Sequence, residues 1–463
     1  RPGSPMVAPR RRMLAALVGV AIWACTDGGV AAESIIAREA TDSLSRHRAV
    51  SGLPAVDGDL ESGAQAHASY LSRNFGRPEV AGLRVHEEDA SLPGATAEGA
   101  IAAKRSHVAS GDQSAAPMID GLIGAPLHRH ALMDPRLDRI GIGRSGEGTR
   151  TEPYQWVVDL SSADRQWVGP PVAVAYPGPG QMQVPVRFAD GETPDPRAAV
   201  AGPGAAISGM GYPITLSFFG CRPSATTARL TLIGTASPDG TVASTGDSEV
   251  PIYLLTPGTT IRTDTGDRDV EPVLFFAREV LRPQTAYRAT VSATCGSLGT
   301  NTYEWIFATR PRLRAADVSV AVGAPAPDGS QEVILIAEAG GFAVPARVSE
   351  VQASFTTQGS RTGSGPTIGG APEIDLEQSR ADADGRMRLR VNLRGATSAD
   401  VTATITDEGV SIPVTFTMRP VASGALKTVV PSTAPFPRLV NARPSWVPAP
   451  VTHRRAQAPM KDA

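Results

Sequence analysis

The feature that most restricts the fold of this sequence is a series of short β-rich segments that begins near residue 170. They contain many β-branched and aromatic residues, and turn-forming residues separate them. Regularly spaced short strands of this kind predict a β-sandwich over residues 170–311. The segments are VAVAYP, QVPVRF, YPITLSFFG, ARLTLIG, EVPIYLL, PVLFFAREV, YRATVSAT and YEWIFATR.

A second β unit is predicted over residues 313–420. In the segment RMRLRVNLR, apolar residues alternate with arginine and asparagine, which is the pattern of a half-buried strand. The segments VTATIT and SIPVTFTM would complete the unit, with a Gly/Ser-rich loop near residues 357–371. Neither β unit clusters residue types used in catalysis, so we expect both to act as spacers or binding surfaces. The apolar face of the alternating strand consists of Met387, Leu389, Val391 and Leu393.

Three polar stretches within the β region are predicted to be turns or loops rather than sites. TGDSEV contains a Gly-Asp-Ser triplet ending at Ser248, but it lacks the strand-to-helix elbow of an esterase nucleophile. DTGDRD at 264–269 and DADG at 382–385 are rich in oxygen atoms. Neither has the ligand spacing of a calcium loop.

The region before residue 165 has a helical pattern first and an extended pattern later. Leu60, Ala64, His67 and Leu71 follow three- and four-residue spacing, which predicts a helix over Leu60–Asn74. A second helix is expected over about residues 34–50, ended by the following glycine and proline. The segment MIDGLIGAPLHRHALM predicts two short helices separated by a proline, and DRIGIGRS and YQWVVDLS predict an antiparallel pair of strands. The whole chain is therefore expected to be of the α+β class.

Composition excludes one class of function. The chain has 463 residues, 41% of them hydrophobic, which is enough for several packed domains. Its 44 basic and 46 acidic residues give a net charge of −2. Nucleic-acid binding proteins usually carry a basic patch, so we do not expect nucleic acid as a partner.

The N-terminal residues resemble a secretory signal. Three arginines precede an apolar stretch, and small residues follow around Ala32, so we predict a signal peptide over residues 1–32. Cys25 lies in a context similar to a bacterial lipoprotein cleavage site, which offers a lipid anchor as the alternative. Either route predicts a secreted, cell-surface or periplasmic protein, with membrane contact only through the signal or the anchor.

The remaining cysteines and the C-terminal region give two further expectations. Cys221 and Cys295 both lie in the first β unit, and they either pair in an oxidising compartment or stay as two separate buried thiols. Residues 421–463 are rich in proline and lack periodicity, so we predict a disordered tail.

Histidines point to the N-terminal region as the place for chemistry. Of the seven in the chain, all but His453 lie between residues 47 and 130. His67 lies on the apolar face of its predicted helix, so we expect a packed and hydrogen-bonded core residue. His107 follows a lysine and an arginine in a polar stretch, so we expect it on a solvated edge.

Four ordered segments resemble the CAP superfamily, also called the SCP-like family, in its bacterial branch. They are GLPAVDGDLESGAQAHASYL, VHEED, PGATAEGA and IDGLIGAPLHRHALMDPRLDRIGIG, and they cover about residues 36–163. The resemblance implies an α-β-α sandwich, here a domain over residues 33–165, with a surface cleft where two histidines and acidic residues converge.

The resemblance also assigns site residues. His86 matches the histidine that follows the long alanine-rich helix, and His128 matches the histidine of the bacterial Gly-His-Arg segment, with Leu127 replacing the glycine. Glu98 matches the glutamate of the family's Gly-Glu-Asn segment, although its neighbours differ here. The second acid of the family lacks a clear equivalent.

Two carboxylates compete for that fourth position, and one arginine lies beside the second histidine. Asp120 is the nearest match to the missing acid, and Glu88 is its rival. Arg129 could donate hydrogen bonds to an anionic ligand.

These side chains are compatible with more than one chemistry. Two neutral imidazoles can ligate a divalent metal such as zinc, bind a polar ligand, or act as general base and acid near neutral pH. The leading hypothesis is a protein that binds an extracellular ligand, which could be a metal, lipid, peptide or cell-wall component. The alternatives are a hydrolase of peptide or cell-wall material and a non-catalytic envelope protein or adhesin.

A weaker resemblance concerns the first β unit. LRPQTAYRATVSA followed by YEWIFATRP is similar to the end of bacterial immunoglobulin-like surface domains. Trp305 and Phe307 share one strand face, and Tyr287 lies where it can pack near them. We therefore expect these aromatic residues in the core of an immunoglobulin-like module.

Overall fold

The computed structural model divides the chain into two compact units. It describes residues 27–419 and 454–455, with gaps at 112–113, 150, 189–191, 202–208, 297–298, 327, 345, 357–372, 379–380, 382–384, 395–397 and 408–409. The first unit runs to Ile123 and also contains Leu127–Gly169 and Arg262–Arg268. The second unit holds the remaining residues, among them the second β region and the rest of the first.

Helices and a small sheet alternate in the first unit. The helices are α1 (Asp27–Val50), α2 (Ser62–Arg73), α3 (Ala97–Ala103), α4 (Ala115–Gly124) and α5 (Pro126–Leu132). The strands are β1 (Asp57–Leu60), β2 (Ser106–Gly111), β3 (Arg139–Ser145) and β4 (Tyr154–Asp159). The helix predicted over Leu60–Asn74 is confirmed as α2, but it begins two residues later because Leu60 completes β1 and the Glu61 carboxylate caps the helix at the backbone N–H of Ala64.

The four strands form one sheet in the order β1-β3-β4-β2. The predicted antiparallel pairing of DRIGIGRS with YQWVVDLS is confirmed by the register of β3 and β4. β1 joins the other edge of β3 in parallel, a pairing that its four-residue sequence DGDL did not predict. α2 packs on β3 and β4.

Gly143 lets α2 approach the sheet closely. A Cβ atom at this position would lie 2.2 Å from the carbonyl carbon of Ala64 in α2. That distance is far shorter than any carbon contact, so the helix backbone would have to move away from β3. The GIG sequence of β3 is therefore a packing requirement for the helix that lies across it.

The first β region contains two packed sheets. Its elements are the strands β5 (Val172–Tyr176), β6 (Ile214–Phe219), β7 (Ser224–Ala236), β8 (Val242–Val250), β9 (Ile252–Leu255), β10 (Thr260–Thr263), β11 (Gly266–Asp269), β12 (Val273–Ala277), β13 (Thr285–Thr294) and β14 (Thr300–Ala308), and the short helix α6 (Ala198–Ala201). One of the packed sheets has the order β5-β6-β12-β9, and the other contains β14-β13-β7-β8. β10 and β11 pair as a separate two-stranded sheet. Arg454–Arg455 forms a short further strand beside β14.

Aromatic residues and a disulfide link these two sheets. Phe218 of β6 meets Tyr303 of β14 edge to face at a centroid distance of 5.5 Å. Cys221 and Cys295 form a disulfide, which decides between the two states that the sequence left open. The expected aromatic core is confirmed, since Tyr287 stacks on Phe307 at 5.7 Å.

Three predictions in this region were wrong in whole or in part. Only residues 264–265 of DTGDRD form a turn, because Gly266–Asp269 is strand β11. QVPVRF forms no strand, because Val184 and Arg187 make only isolated bridges to other segments. Conversely, Ser248 lies in β8, an exposed edge strand over Val242–Val250, and not in a loop. Its serine, threonine and glycine residues conceal the strand, because no buried face creates an apolar alternation.

The second β region has its own core. Its strands are β15 (Val318–Pro325), β16 (Ser330–Ala339), β17 (Phe342–Ala343), β18 (Arg347–Thr356), β19 (Glu373–Gln378), β20 (Arg386–Asn392), β21 (Ser398–Asp407) and β22 (Val410–Met418). They form a sheet β15-β16-β20-β19, in which β17 also pairs with β16, and a sheet β18-β21-β22. The alternating strand is confirmed as β20, with its four apolar residues buried in a core shared with both sheets. The chain as a whole is α+β, as predicted.

Several predictions lie outside the described residues. The signal sequence up to residue 26, including Cys25, is one of them, and so are the loop near 357–371 and most of the predicted tail. Over the described part of the chain, no helix has the length and apolar character needed to cross a membrane.

Candidate functional site

His86 is held at the end of a short 3-10 helix, Gly82–His86, that follows α2. Its ring is half-buried, and Nδ1 lies 3.3 Å from the carbonyl oxygen of Ala103. When Nδ1 donates its proton to this carbonyl, Nε2 of the neutral ring carries the lone pair. His86 is thus oriented as a hydrogen-bond acceptor or a metal ligand.

His128 lies in α5, two residues after the proline that breaks the helical segment. Pro126 is the first residue of α5, as the break predicted from the sequence requires. The side chain of His128 is half-buried. The charge of His128 acts on His86, so the two histidines assigned by the resemblance lie within electrostatic range of each other.

A third histidine joins this pair. His107 of β2 has an exposed fraction of 8%, and its ring meets the ring of His128 edge to face at a centroid distance of 4.8 Å. It also hydrogen-bonds to the backbone of His128. The expectation of a solvated edge was wrong, because the antiparallel pairing of β2 with β4 turns this side chain inward. We call His86, His107 and His128 the histidine cluster.

Burial favours the neutral forms of His86 and His107. Desolvation is the main cause that lowers the pKa of His86, and the positive charges of His128 and Arg268 act in the same direction against the hydrogen bond to Ala103. Desolvation also places the pKa of His107 well below its ordinary value, with His128 and His86 adding to the shift. Neutral imidazoles are the form that binds metals and accepts protons.

Arg268 belongs to the segment Arg262–Arg268, which is part of the first compact unit. This segment contacts the 3-10 helix of His86, where the backbone N–H of Leu83 donates to the hydroxyl of Thr265 at 3.1 Å. The sequence did not suggest this contact, because the segment follows His86 by about 180 residues. It brings a positive charge to the histidine cluster.

The acidic residues proposed for the cleft lie in three different surroundings. Glu98 is exposed in the first turn of α3, where it complements the helix dipole. Glu88 is buried, and its carboxylate accepts hydrogen bonds from the ring of His67 at 2.9 Å and from the backbone of Thr96 at 2.7 Å. Glu88 therefore connects α2 to the start of α3.

The core role predicted for His67 is confirmed. The ring is fully buried, and its second nitrogen lies 2.8 Å from the carbonyl oxygen of Val85. Both ring nitrogens thus face oxygen acceptors, Glu88 and Val85. Since Val85 directly precedes His86, this buried network fixes the loop that carries the first histidine of the cluster.

Asp120 is engaged with α1. Its Oδ1 accepts hydrogen bonds from Ser43 at 2.6 Å and lies 2.9 Å from Nε2 of His47. Burial disfavours the charged form, but these two hydrogen bonds outweigh it and lower the pKa of Asp120. Ser, His and Asp meet here without forming a nucleophilic triad, because Ser43 is bonded to the carboxylate rather than to the imidazole.

Arg129 is buried, with an exposed fraction of 1%. Its Nε donates to the carbonyl oxygen of Ile123 at the end of α4, at 2.6 Å. This bond ties α5 to the preceding helix and thereby helps to place His128. Binding of an anion by Arg129 stays a prediction.

A protein-enclosed metal site is not apparent in the part of the chain that the structure describes. Over those residues, no group of three or more His, Cys, Asp or Glu side chains is arranged to hold a metal ion. A metal bound by His86 and His128 would therefore need water or an external ligand to complete its coordination.

Comparison with known families agrees with the position of this site. Residues 42–160 match the family model CAP, described as the cysteine-rich secretory protein family. No curated protein matches the chain significantly. The segment that is similar to this family contains all three residues of the histidine cluster.

Proposed function

We propose that this chain is an extracellular CAP-domain protein that binds a ligand through the imidazoles of His86 and His128. The observation that carries the proposal is that His128 lies within electrostatic range of the half-buried His86, 42 residues away in sequence, and in ring contact with His107. Desolvating imidazoles costs free energy unless they find partners. A ligand that donates a hydrogen bond to Nε2 of His86 would supply such a partner.

The chemistry of the cluster restricts the ligand. Nε2 of His86 offers a lone pair, which suits a metal ion or the hydrogen-bond donor of a polar molecule. The positive charge of Arg268 disfavours a bare cation and favours a ligand with anionic or polar character. We therefore propose a polar extracellular ligand, such as a peptide, lipid headgroup or cell-wall component, and treat zinc as a probe of the imidazole pair.

Ligand binding is better supported than hydrolysis by the same groups. A general-base histidine works best with a carboxylate that orients its ring. Glu98 is exposed on α3, and the hydrogen bonds of Glu88 and Asp120 lead to His67 and His47 rather than to the cluster. The hydrogen bonds that orient His86 and His107 lead to backbone groups, those of Ala103 and His128.

The two β regions extend this proposal. We propose that they are immunoglobulin-like modules of a bacterial surface or secreted protein, acting as a spacer or as an interaction surface. Their two-sheet architecture, their disulfide and their separate cores support such a role. A signal peptide over residues 1–32 would deliver the chain to an oxidising compartment, where the disulfide is stable.

Zinc titration by calorimetry on the full chain tests the ligand site. We expect one weak zinc site per chain, whose affinity falls at least tenfold, or about 1.4 kcal/mol, in both His86→Ala and His128→Ala. The reason is that an imidazole is removed from a site to which the protein supplies few ligands.

His47→Ala serves as the matched control. This variant also loses a partly exposed imidazole, but one that pairs with Asp120 beside α1. It should bind zinc as the unsubstituted chain does. Equal zinc affinity in the unsubstituted chain and both cluster variants would refute the proposed site.

A further inference from the structure

His107 is the member of the histidine cluster that the family assignment leaves without a role. It lies on β2, whereas His86 and His128 lie on a 3-10 helix and on α5. With 8% exposure it is too buried to present its ring to a large ligand. Any influence on binding must pass through the residues that it touches.

We propose that His107 is a positioning residue that fixes the place and ring orientation of His128. The inference rests on the proposed function, because it concerns the same ligand site. It adds a third residue to that site and assigns it a role distinct from ligand contact.

The support begins with the rigidity of β2. His107 pairs with Val158 in a six-residue antiparallel ladder, and Val158 is fully buried. α5 has only seven residues, too few to hold its own position in water. His107 is anchored in the sheet and bonded to the backbone of His128. It therefore fixes α5 at the residue whose imidazole belongs to the proposed ligand site.

The second contact acts on the ring itself. The planes of the His107 and His128 rings meet at 70°, in the edge-to-face arrangement that aromatic rings prefer. Rotation of His128 about its side-chain bonds would break this contact. The backbone bond and the ring contact together restrict both the position and the direction of His128.

Packing alone does not account for an imidazole at this position. Nε2 of His107 is buried, and no residue that the structure describes forms a hydrogen bond with it. A phenyl ring would fill the same space without burying this polar atom. Unlike a phenyl ring, the imidazole has an N–H group, and this group hydrogen-bonds to the backbone of His128.

Two substitutions separate the hydrogen bond from the ring. His107→Phe keeps a buried aromatic ring and removes the N–H donor, whereas His107→Asn keeps a donor near the position of Nδ1 and removes the ring. Zinc affinity of the full chain, thermal stability and the 15N chemical shifts of the His128 ring are measured for each. Metal affinity typically falls ten- to a hundredfold when a residue that orients a metal-binding histidine is removed.

We expect His107→Phe to lower zinc affinity at least tenfold and to change the His128 ring shifts, while the melting temperature stays close to that of the unsubstituted chain. His107→Asn should recover most of the affinity. Unchanged affinity in His107→Phe would overturn the inference, and so would equal losses in both variants that parallel their loss of stability.

The ring shifts keep this test separate from that of the proposed function. If the unsubstituted chain binds no zinc, the proposed ligand site fails with that probe, but the shifts still report on His128. Unchanged His128 shifts in His107→Phe would then overturn the positioning role. Altered shifts, restored towards normal in His107→Asn, would support it.

Discussion

Replacing Arg48 with methionine is expected to destabilise the first compact unit by at least about 4 kcal/mol, which is a large part of the stability of a typical domain. Arg48 is fully buried at the end of α1 and donates to four backbone carbonyls. The acceptors are Pro54, Leu132, Asp134 and Leu137, at 2.8–3.0 Å. Methionine fills a similar space but leaves these carbonyls without their donor.

The charge of Arg48 makes these bonds strong. Burial lowers the pKa of Arg48 to about 10, against the opposing effect of Asp134, so the guanidinium stays charged at neutral pH. One of its acceptors is Leu132, the last residue of α5, and two more follow the helix, so the bonds hold the end of the helix that carries His128.

Calorimetric unfolding of the full chain measures the effect. We expect Arg48→Met to lower the melting temperature of the first unit by roughly 10 °C or more. The melting temperature of Arg48→Lys should lie between those of Arg48→Met and the unsubstituted chain, because lysine offers fewer donors than arginine. Arg38→Met is the control, since Arg38 is exposed on the same helix. A loss of less than 1 kcal/mol in Arg48→Met would contradict the role assigned to this residue.

Asp407→Ala is expected to destabilise the second unit by about 3–5 kcal/mol. Asp407 ends β21 and forms a buried ion pair with Arg310, with a distance of 2.6 Å between the carboxylate and the guanidinium. Arg310 follows the first β region, so the pair joins it to the second. Removal of the carboxylate leaves a buried guanidinium without this partner.

The ion pair itself should add little net stability. Burial raises the pKa of Asp407 even though Arg310 and Arg187 oppose the shift, which means that desolvation outweighs their attraction. The double substitution Arg310→Met with Asp407→Leu should therefore recover most of the stability lost in Asp407→Ala. Denaturation of the three chains measures this, and a double variant as unstable as the single one would contradict the explanation.

The sequence predicts the residues that carry an apolar pattern or a family landmark. His86 and His128 were assigned from ordered segments of the CAP resemblance, and their elements lie together in the first unit. The alternation of apolar and other residues in DRIGIG predicts the strand. Gly143 has a further role, because its lack of a side chain lets α2 pack closely on the sheet. In β20 the alternation of Met387 and Leu389 with arginine determines both the strand and its buried face.

The remaining features depend on contacts between distant segments. His107 lies in the polar stretch KRSHVASG, and only the pairing of β2 with β4 buries it. Arg48 lies in the last turn of α1, where a basic residue is favourable even when it is exposed. The local sequence therefore does not predict that Arg48 is buried. Arg268 reaches the cluster through a segment that is remote in sequence.

The most direct test of the account is an NMR titration of the histidine rings in the full chain. We predict that His86 and His107 titrate below the ordinary value of about 6.5, and that His128→Ala raises the pKa of both. Burial would still lower both values in that variant, but the charge of a protonated His128 would no longer add to the shift. Ordinary pKa values that do not respond to His128→Ala would contradict the existence of a single histidine cluster.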